Sequence, residues 1–350
     1  MKKLYGFGLV VALCVGACTT TLIAQDNSGN VNSAPRDFSK IGAGLGNFLN
    51  IPVGARAIGM GASFTGVADD PTALYWNPAG IMQGKGASAN YSFASLFAGI
   101  THNFAGVTIP IGESYKAGVS AVSYGSDDIP VTTLFNQEGT GERYQVRDLA
   151  LGLTFAGQLT DQFSFGITGK FVNLAFATES ASGVAFDVGT LYKPGILGLR
   201  LGFAVQNLST PMKYTGNGLV QTGGFNQTTG YQNPDVQLEA TEASLPLTFR
   251  AGLAADVLEG DEMQKLLVST EFSTASDRGE FASLGAEYTW NNLLSARAGY
   301  QFGSSEAYGI SAGLGIRYQT GGFLGQIDYA IRPHKTLGLV NQISASVWFN

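Results

Sequence analysis

His102 and His334 are the chain's only histidines, and neither stands beside a serine that would complete a nucleophile and base pair. Both read as interfacial or loop histidines. Asp69 and Asp70 are adjacent acids, but no further oxygen ligands follow at calcium-loop spacing, so they read as a cap and a solvated turn rather than a metal site. Gly42-Ala43-Gly44-Leu45-Gly46 and Gly59-Met60-Gly61 offer the glycines of a phosphate loop without its lysine, without the full dinucleotide spacing and without a strand-to-helix setting. These residues support no enzyme, no cofactor and no metal. What remains is a set of charges at alternating positions: Asp148, Lys170, Asp187, Arg200, Arg250, Glu271, Glu287, Arg297, Arg317, Asp328 and Arg332. Their signs are interleaved. Rings of one sign would suit an ion-selective pore, whereas mixed charges predict pairing across a narrow, largely filled interior.

The elements that must carry those charges are strands. Between Gly322 and Arg332, Phe323, Ile327, Tyr329 and Ile331 share one face while Gln326, Asp328 and Arg332 share the other, because strand side chains alternate with period two. The split recurs at 162–172, where Phe163, Phe165, Ile167 and Phe171 oppose Ser164, Thr168 and Lys170. It recurs again at 293–301, where Leu294 and Tyr300 oppose Ser295, Arg297 and Gln301. One face suits lipid and the other a polar lumen, the signature of a transmembrane β-barrel. The predicted strands are 88–100, 101–111, 115–125, 146–159, 162–176, 182–193, 199–208, 246–257, 264–274, 280–290, 293–303, 307–319, 322–332 and 341–349. The fold class is therefore all-β, an antiparallel transmembrane barrel of about fourteen strands, an even number as bacterial single-chain barrels require. Short connections follow even strands, and the two long ones, 126–145 and 209–245, follow odd strands. That asymmetry puts the short turns on the periplasmic side. The second long loop, with Gly216, Gly218, Gly223, Gly224, Asn226, Gln227, Thr228 and Thr229, reads as a flexible polar cap.

Composition agrees with a barrel. Charged residues are 13% of the chain against about 25% in soluble proteins, and 48 glycines are roughly twice the usual share. The net charge of −6 gives no reason to propose nucleic acid. Lys2 and Lys3, the apolar run Leu4–Ala17 and the small residues up to Ala24 have the layout of a secretory signal, so residues 1–24 are expected to be removed, with Cys14 and Cys18. A rival is that Val15-Gly16-Ala17-Cys18 forms a lipoprotein box that leaves Cys18 lipidated. Phe93, Leu96 and Phe97 near the first strand read as a lipid-facing girdle.

Residues 25–87 precede the barrel, which is assigned 88–350, and lack its alternation. Gly54–Ala68 shows no sustained helical or strand period and is too glycine-rich for an independent core. Asp70 before Pro71 predicts an N-cap with proline at the first position of a short helical turn, 71–76. Pro78 disfavours helical geometry at Asn77 and breaks it there. Short turns and close glycine packing suit a plug segment inside the barrel. Here the chain resembles a known family. Asn47-Phe48-Leu49, Gly54-Ala55-Arg56-Ala57-Ile58-Gly59-Met60-Gly61, Ala68-Asp69-Asp70-Pro71 and Tyr75-Trp76-Asn77-Pro78-Ala79-Gly80 resemble the PorV/PorQ family of outer-membrane proteins over roughly residues 41–82. The Asn-Pro-Ala-Gly element is also similar to the hatch of FadL-type fatty-acid channels. The resemblance implies a fourteen-stranded FadL-like barrel in the bacterial outer membrane with its N-terminus on the periplasmic side. It carries over no catalytic residue, only Arg56, Gly59, Gly61, Asp69, Asp70, Asn77, Pro78, Ala79 and Gly80 as plug elements. It further implies an adaptor linked to type IX protein secretion, with secretion components and exported cargo as partners besides outer-membrane lipid. The alternative is a FadL-like channel for hydrophobic solutes. Barrels of this kind commonly end in an aromatic, and here Phe349 is followed by Asn350.

Overall fold

The computed structural model describes residues 44–349, apart from 85, 197, 222, 224, 227–230, 233, 259–262, 304–308 and 335–337. The expected signal segment, Cys14, Cys18, Gly42, Ala43 and Asn350 lie outside the described residues, as do several glycine- and threonine-rich positions of the second long loop. Fourteen long strands form the wall. They are β1 (Ala87–Ser95), β2 (Thr101–Ile111), β3 (Tyr115–Gly125), β4 (Val146–Thr160), β5 (Phe163–Phe176), β6 (Glu179–Tyr192) and β7 (Arg200–Ser209). The second half comprises β8 (Thr248–Asp256), β9 (Gln264–Ala275), β10 (Arg278–Trp290), β11 (Leu294–Gly303), β12 (Ile310–Thr320), β13 (Phe323–His334) and β14 (Gly338–Phe349).

Each strand pairs antiparallel with its neighbours in sequence, and β14 returns to pair with β1, from Ala87 opposite Phe349 to Ser95 opposite Asn341. The sheet thereby closes on itself and leaves no edge in the wall. A short strand, Thr215–Gly216, is added beside β6 above the β6–β7 pairing.

The predicted strands differ from these mainly at their ends. The first ends at Ser95 rather than 100, because Ala98 and Gly99 take positive φ and Leu96 closes a turn onto Ile100. β6, β10 and β14 start two or three residues earlier than the alternation suggested, where pairing continues beyond the apolar face. Within the wall the alternation sets what faces where. Ile327 and Tyr329 point outward while Gln326, Asp328 and Arg332 are buried; Ile167 and Phe171 point outward while Ser164 and Thr168 are buried. Leu153 on β4 and Leu314 on β12 are 66% and 65% exposed on the outer face. An outer surface so apolar is matched to hydrocarbon, not water.

Residues 44–84 form short turns packed against the inward faces of the strands, and we call them the inner segment. It contains an α-helix at Ala55–Gly59, where no period was legible because five residues make little more than one turn. A second helix is assigned at Ala73–Trp76. Asp70 Oδ1 nonetheless accepts from the Thr72 N–H at 2.8 Å, so the expected cap is made ahead of the assigned helix. Asn77 is extended and breaks the helix, and a 3-10 helix then runs Pro78–Gln83 with the Asn77 side chain accepting from the Ala79 N–H. Val53, Met60, Phe64, Leu74 and Trp76 on this segment are almost wholly buried and form the core of the molecule with inward residues of the wall.

Candidate functional site

The strands bring three cross-strand glycine pairs onto the lumen face: Gly166 with Gly189, Gly202 with Gly252, and Gly285 with Gly299. A β-carbon at any of them would collide with the inner segment, at Pro78, Asn77, Thr65, Gly66, Met60 or Gly61. The wall thus lets backbone meet backbone, which only glycine permits. Gly80 is equally tight against the Ala68 backbone, and Gly59 is closely packed, with less overlap, against Arg297 and Gly313. Ala79 and Pro78 are buried beside them. Asn77 ties the kink down, its amide donating to the Thr65 and Thr190 carbonyls at 3.1 and 3.0 Å.

Ion pairs complete the attachment. Arg56 donates through Nε and Nη2 to both oxygens of Glu287 on β10, each at 2.8 Å, a bidentate pair. Its Nη1 faces Asp69 and, at 3.3 Å, Asp70. Asp69 also meets Arg200 of β7 at 3.2 Å, and Arg200 meets Asp256 of β8 at 2.6 Å. Arg297 joins Glu287 at 2.5 Å to Asp328 at 2.8 Å. Arg317 donates to Gln326 at 2.8 and 3.0 Å. A second cluster, on the neighbouring strands β8 and β9, holds the segment further along. Glu271 accepts from the Phe64 and Thr65 N–H groups at 2.9 and 2.8 Å and pairs with Arg250 at 2.9 Å. Arg250 in turn lies over the Trp76 ring, 4.9 Å from its centroid.

Burial alone would lower the Arg56 pKa, but Asp69 and then Glu287 outweigh it and hold the guanidinium charged. Burial pushes Asp69 up, yet Arg56 and Arg200 together bring it below the usual carboxylate range. Asp70 is raised, because burial outweighs its Arg56 contact. The two acids are therefore not the solvated turn that the sequence suggested: Asp70 is buried, and both are folded around a buried arginine. His102 also departs from expectation. Its position on β2 has inward parity, so the imidazole is buried in the lumen rather than at an interface or in a loop. His334 closes β13 near the Phe97 ring.

The two ends of the lumen differ in character. At the end carrying the turns after even strands, Arg56, Asp69, Arg200, Lys265, Glu287 and Arg317 line a cavity of about 360 Å³. Toward the other end, which carries the long connections 126–145 and 210–247, apolar side chains gather, namely Phe48, Phe104, Val122, Leu174, Met212 and Leu245, with Tyr124 against Phe48; buried His102, Asp277, Arg332 and Gln342 lie at the same end. Met212 and Leu245 come from the second long loop, which is thus anchored at its base and is not a wholly polar cap. Among the described residues no group of acids, histidines and cysteines is arranged to hold a metal.

A closed fourteen-stranded antiparallel barrel with an apolar exterior has the fold of FadL-type outer-membrane barrels. The chain is similar to the Pseudomonas putida toluene transporter TodX, with a TM-score of 0.55 and 13% identity over 84% of this chain and 96% of that one. It is similar to a Pseudomonas aeruginosa FadL homologue and to the Ralstonia pickettii toluene transporter TbuX, each with a TM-score of 0.53 and 14% identity over 85% of this chain and 98% of the other. No protein-family model matches the chain, and no curated relative matches it by sequence.

Proposed function

We propose that the protein is a non-enzymatic outer-membrane channel for hydrophobic solutes, in which the inner segment, within an N-terminal region 25–87, acts as the plug of the barrel. The observation that carries this reading is the contrast along the lumen: apolar side chains gather under the long loops around a few buried polar groups, whereas ion-paired charges dominate the end under the short turns. An apolar solute is favoured at the first and rejected at the second. The fold it shares with toluene transporters and a FadL homologue supports the same reading. In this reading the long loops are extracellular, the N-terminus is periplasmic, and Arg56, Asp69, Asp70 and Asn77–Gly80 hold the plug. The lumen charges Arg250, Glu271, Glu287, Arg297, Arg317 and Asp328 brace it from the wall.

Uptake of labelled toluene and of palmitate, in cells with an intact outer leaflet that carry or lack the protein, tests the proposal. Faster uptake of either compound on expression is expected; unchanged uptake of both overturns it. The second reading, an adaptor for type IX secretion components and exported cargo, rests on the motif resemblance over 41–82 and on a lumen so fully occupied. Copurification of secretion subunits or cargo with the native protein, together with unchanged uptake, would favour it.

A further inference from the structure

The register of the wall sets four hydrogen-bonding side chains in one row across the loop end of the lumen. Ala94 on β1 stands opposite Gln342 on β14 and His102 on β2. His102 stands opposite Tyr124 on β3, and Tyr124 opposite Asp148 on β4. Directly opposed residues of an antiparallel pair share a face, and the burial of Ala94, His102 and Gln342 makes that face the lumen.

His102 and Gln342 are 1% and 2% exposed, yet neither imidazole nitrogen and neither amide atom of Gln342 makes a hydrogen bond among the described residues. The Phe48 backbone faces His102 without good hydrogen-bond geometry. Buried polar atoms are almost always partnered, because leaving one unmade is costly. Two such groups, separated only by Ala94, are left with hydrogen-bonding capacity unmet on one face. Gln342 has another small neighbour in Ala330, opposite it on β13. The surroundings are apolar: Phe104 and Val122 oppose one another next along β2 and β3, and Phe48 lies against Tyr124. Tyr124 and Asp148 are only half-buried and continue the row toward the loop-side mouth.

We infer that this row selects apolar solutes that carry a hydroxyl or amine hydrogen, with the ring or chain against Phe104, Val122 and Phe48 and the polar hydrogen on His102 or Gln342. The inference rests on the solute-channel reading and narrows it. A site with buried acceptors discriminates against the analogue that lacks the matching hydrogen, because that analogue leaves them unmade.

p-Cresol and p-xylene, equal in shape and differing by a hydroxyl for a methyl, are the probes. Their affinities for the purified full-length protein are measured by calorimetry at matched free concentrations. The wild-type protein is expected to bind p-cresol about tenfold more tightly than p-xylene, as one additional buried hydrogen bond requires. His102→Leu and, separately, Gln342→Met should bring that ratio towards one; the second keeps side-chain length, so the test does not depend on the first variant folding. A wild-type ratio near one, as expected if water satisfies the row, overturns the inference, as does a ratio unchanged in both variants. Binding of p-xylene without preference for p-cresol would leave the channel reading standing, whereas binding of neither compound removes both.

Discussion

Arg56 is the residue on which the attachment of the inner segment turns. It sits on a five-residue helix too short to be stable in isolation, and it reaches Glu287 on the wall and Asp69 and Asp70 on its own segment. Removing it leaves three carboxylates near one another with Arg297 still on Glu287 and Arg200 still on Asp69, but buried Asp70 without a cation, and an uncompensated buried charge is strongly unfavourable. Arg56→Ala is expected to weaken closure of the segment by roughly 3–5 kcal/mol. Hydrogen exchange of the amides between Gly54 and Thr72 would report this as a lowered opening free energy. Arg56→Lys should recover only part of it, since a single ammonium cannot make the bidentate pair to Glu287 while also meeting Asp69. Unchanged protection in the alanine variant would mean that the glycine contacts alone hold the segment. The arginine was legible in the sequence as part of a motif. Its three partners were not linked to it, because Glu287 lies far along the chain and only the closed barrel brings them together.

At the scale of elements, the wall strands do two jobs with one alternation. Outward positions are mostly large and apolar; inward positions are charged or polar, apolar at Phe104, Val122, Val172 and Leu174, or, at the three cross-strand pairs, glycine. Gly299→Val should force the inner segment off β11, since the new side chain would occupy the space of the Gly61 backbone. Misfit of this kind costs about 1–3 kcal/mol where neighbours can move, and more where backbone must. Increased protease cleavage between Gly54 and Ala68, with the barrel itself resistant, is the expected result. Gly169→Val on β5 is the matched control, since its nearest neighbour is the edge of the outward Phe186 ring; equal cleavage in both variants would refute the contact argument. This division explains what the sequence revealed. Period two exposed the strands and the sides they present, because alternation is local. The excess of glycine was visible, but its placement was not: Gly202 and Gly252 are neighbours only through register, which composition does not encode. His102 was misplaced for the same reason, since a lone imidazole shows its parity only after the strand's start is fixed. The ends of β6 and β14 were missed where pairing outran the apolar pattern.

For the whole molecule, the question is whether the inner segment stays put while the barrel works. The loop end of the lumen is rich in apolar side chains and the turn end is closed by the ion pairs of Arg56, Asp69, Arg200 and Glu287. A hydrophobic solute that settles among Phe48, Phe104 and Leu245 meets the packed inner segment and its ion pairs on the way to that end, so passage requires part of the segment or of its surroundings to shift. The ion pairs and the glycine contacts both favour the closed arrangement, and a solute can displace it only by binding the shifted one more tightly. A covalent tie separates the two cases. The Ala55 N–H donates to Ser344 Oγ on β14 at 3.2 Å, so the two positions are in contact and a disulfide formed between them would tie the segment to the wall. The double variant Ala55→Cys, Ser344→Cys, oxidised in intact cells, is expected to lose most toluene uptake and to regain it on reduction, while each single variant behaves as wild type. Full uptake by the oxidised protein would place the moving part elsewhere and leave the inner segment as a fixed lining of the path, with selectivity then decided by the side chains it presents under the loops.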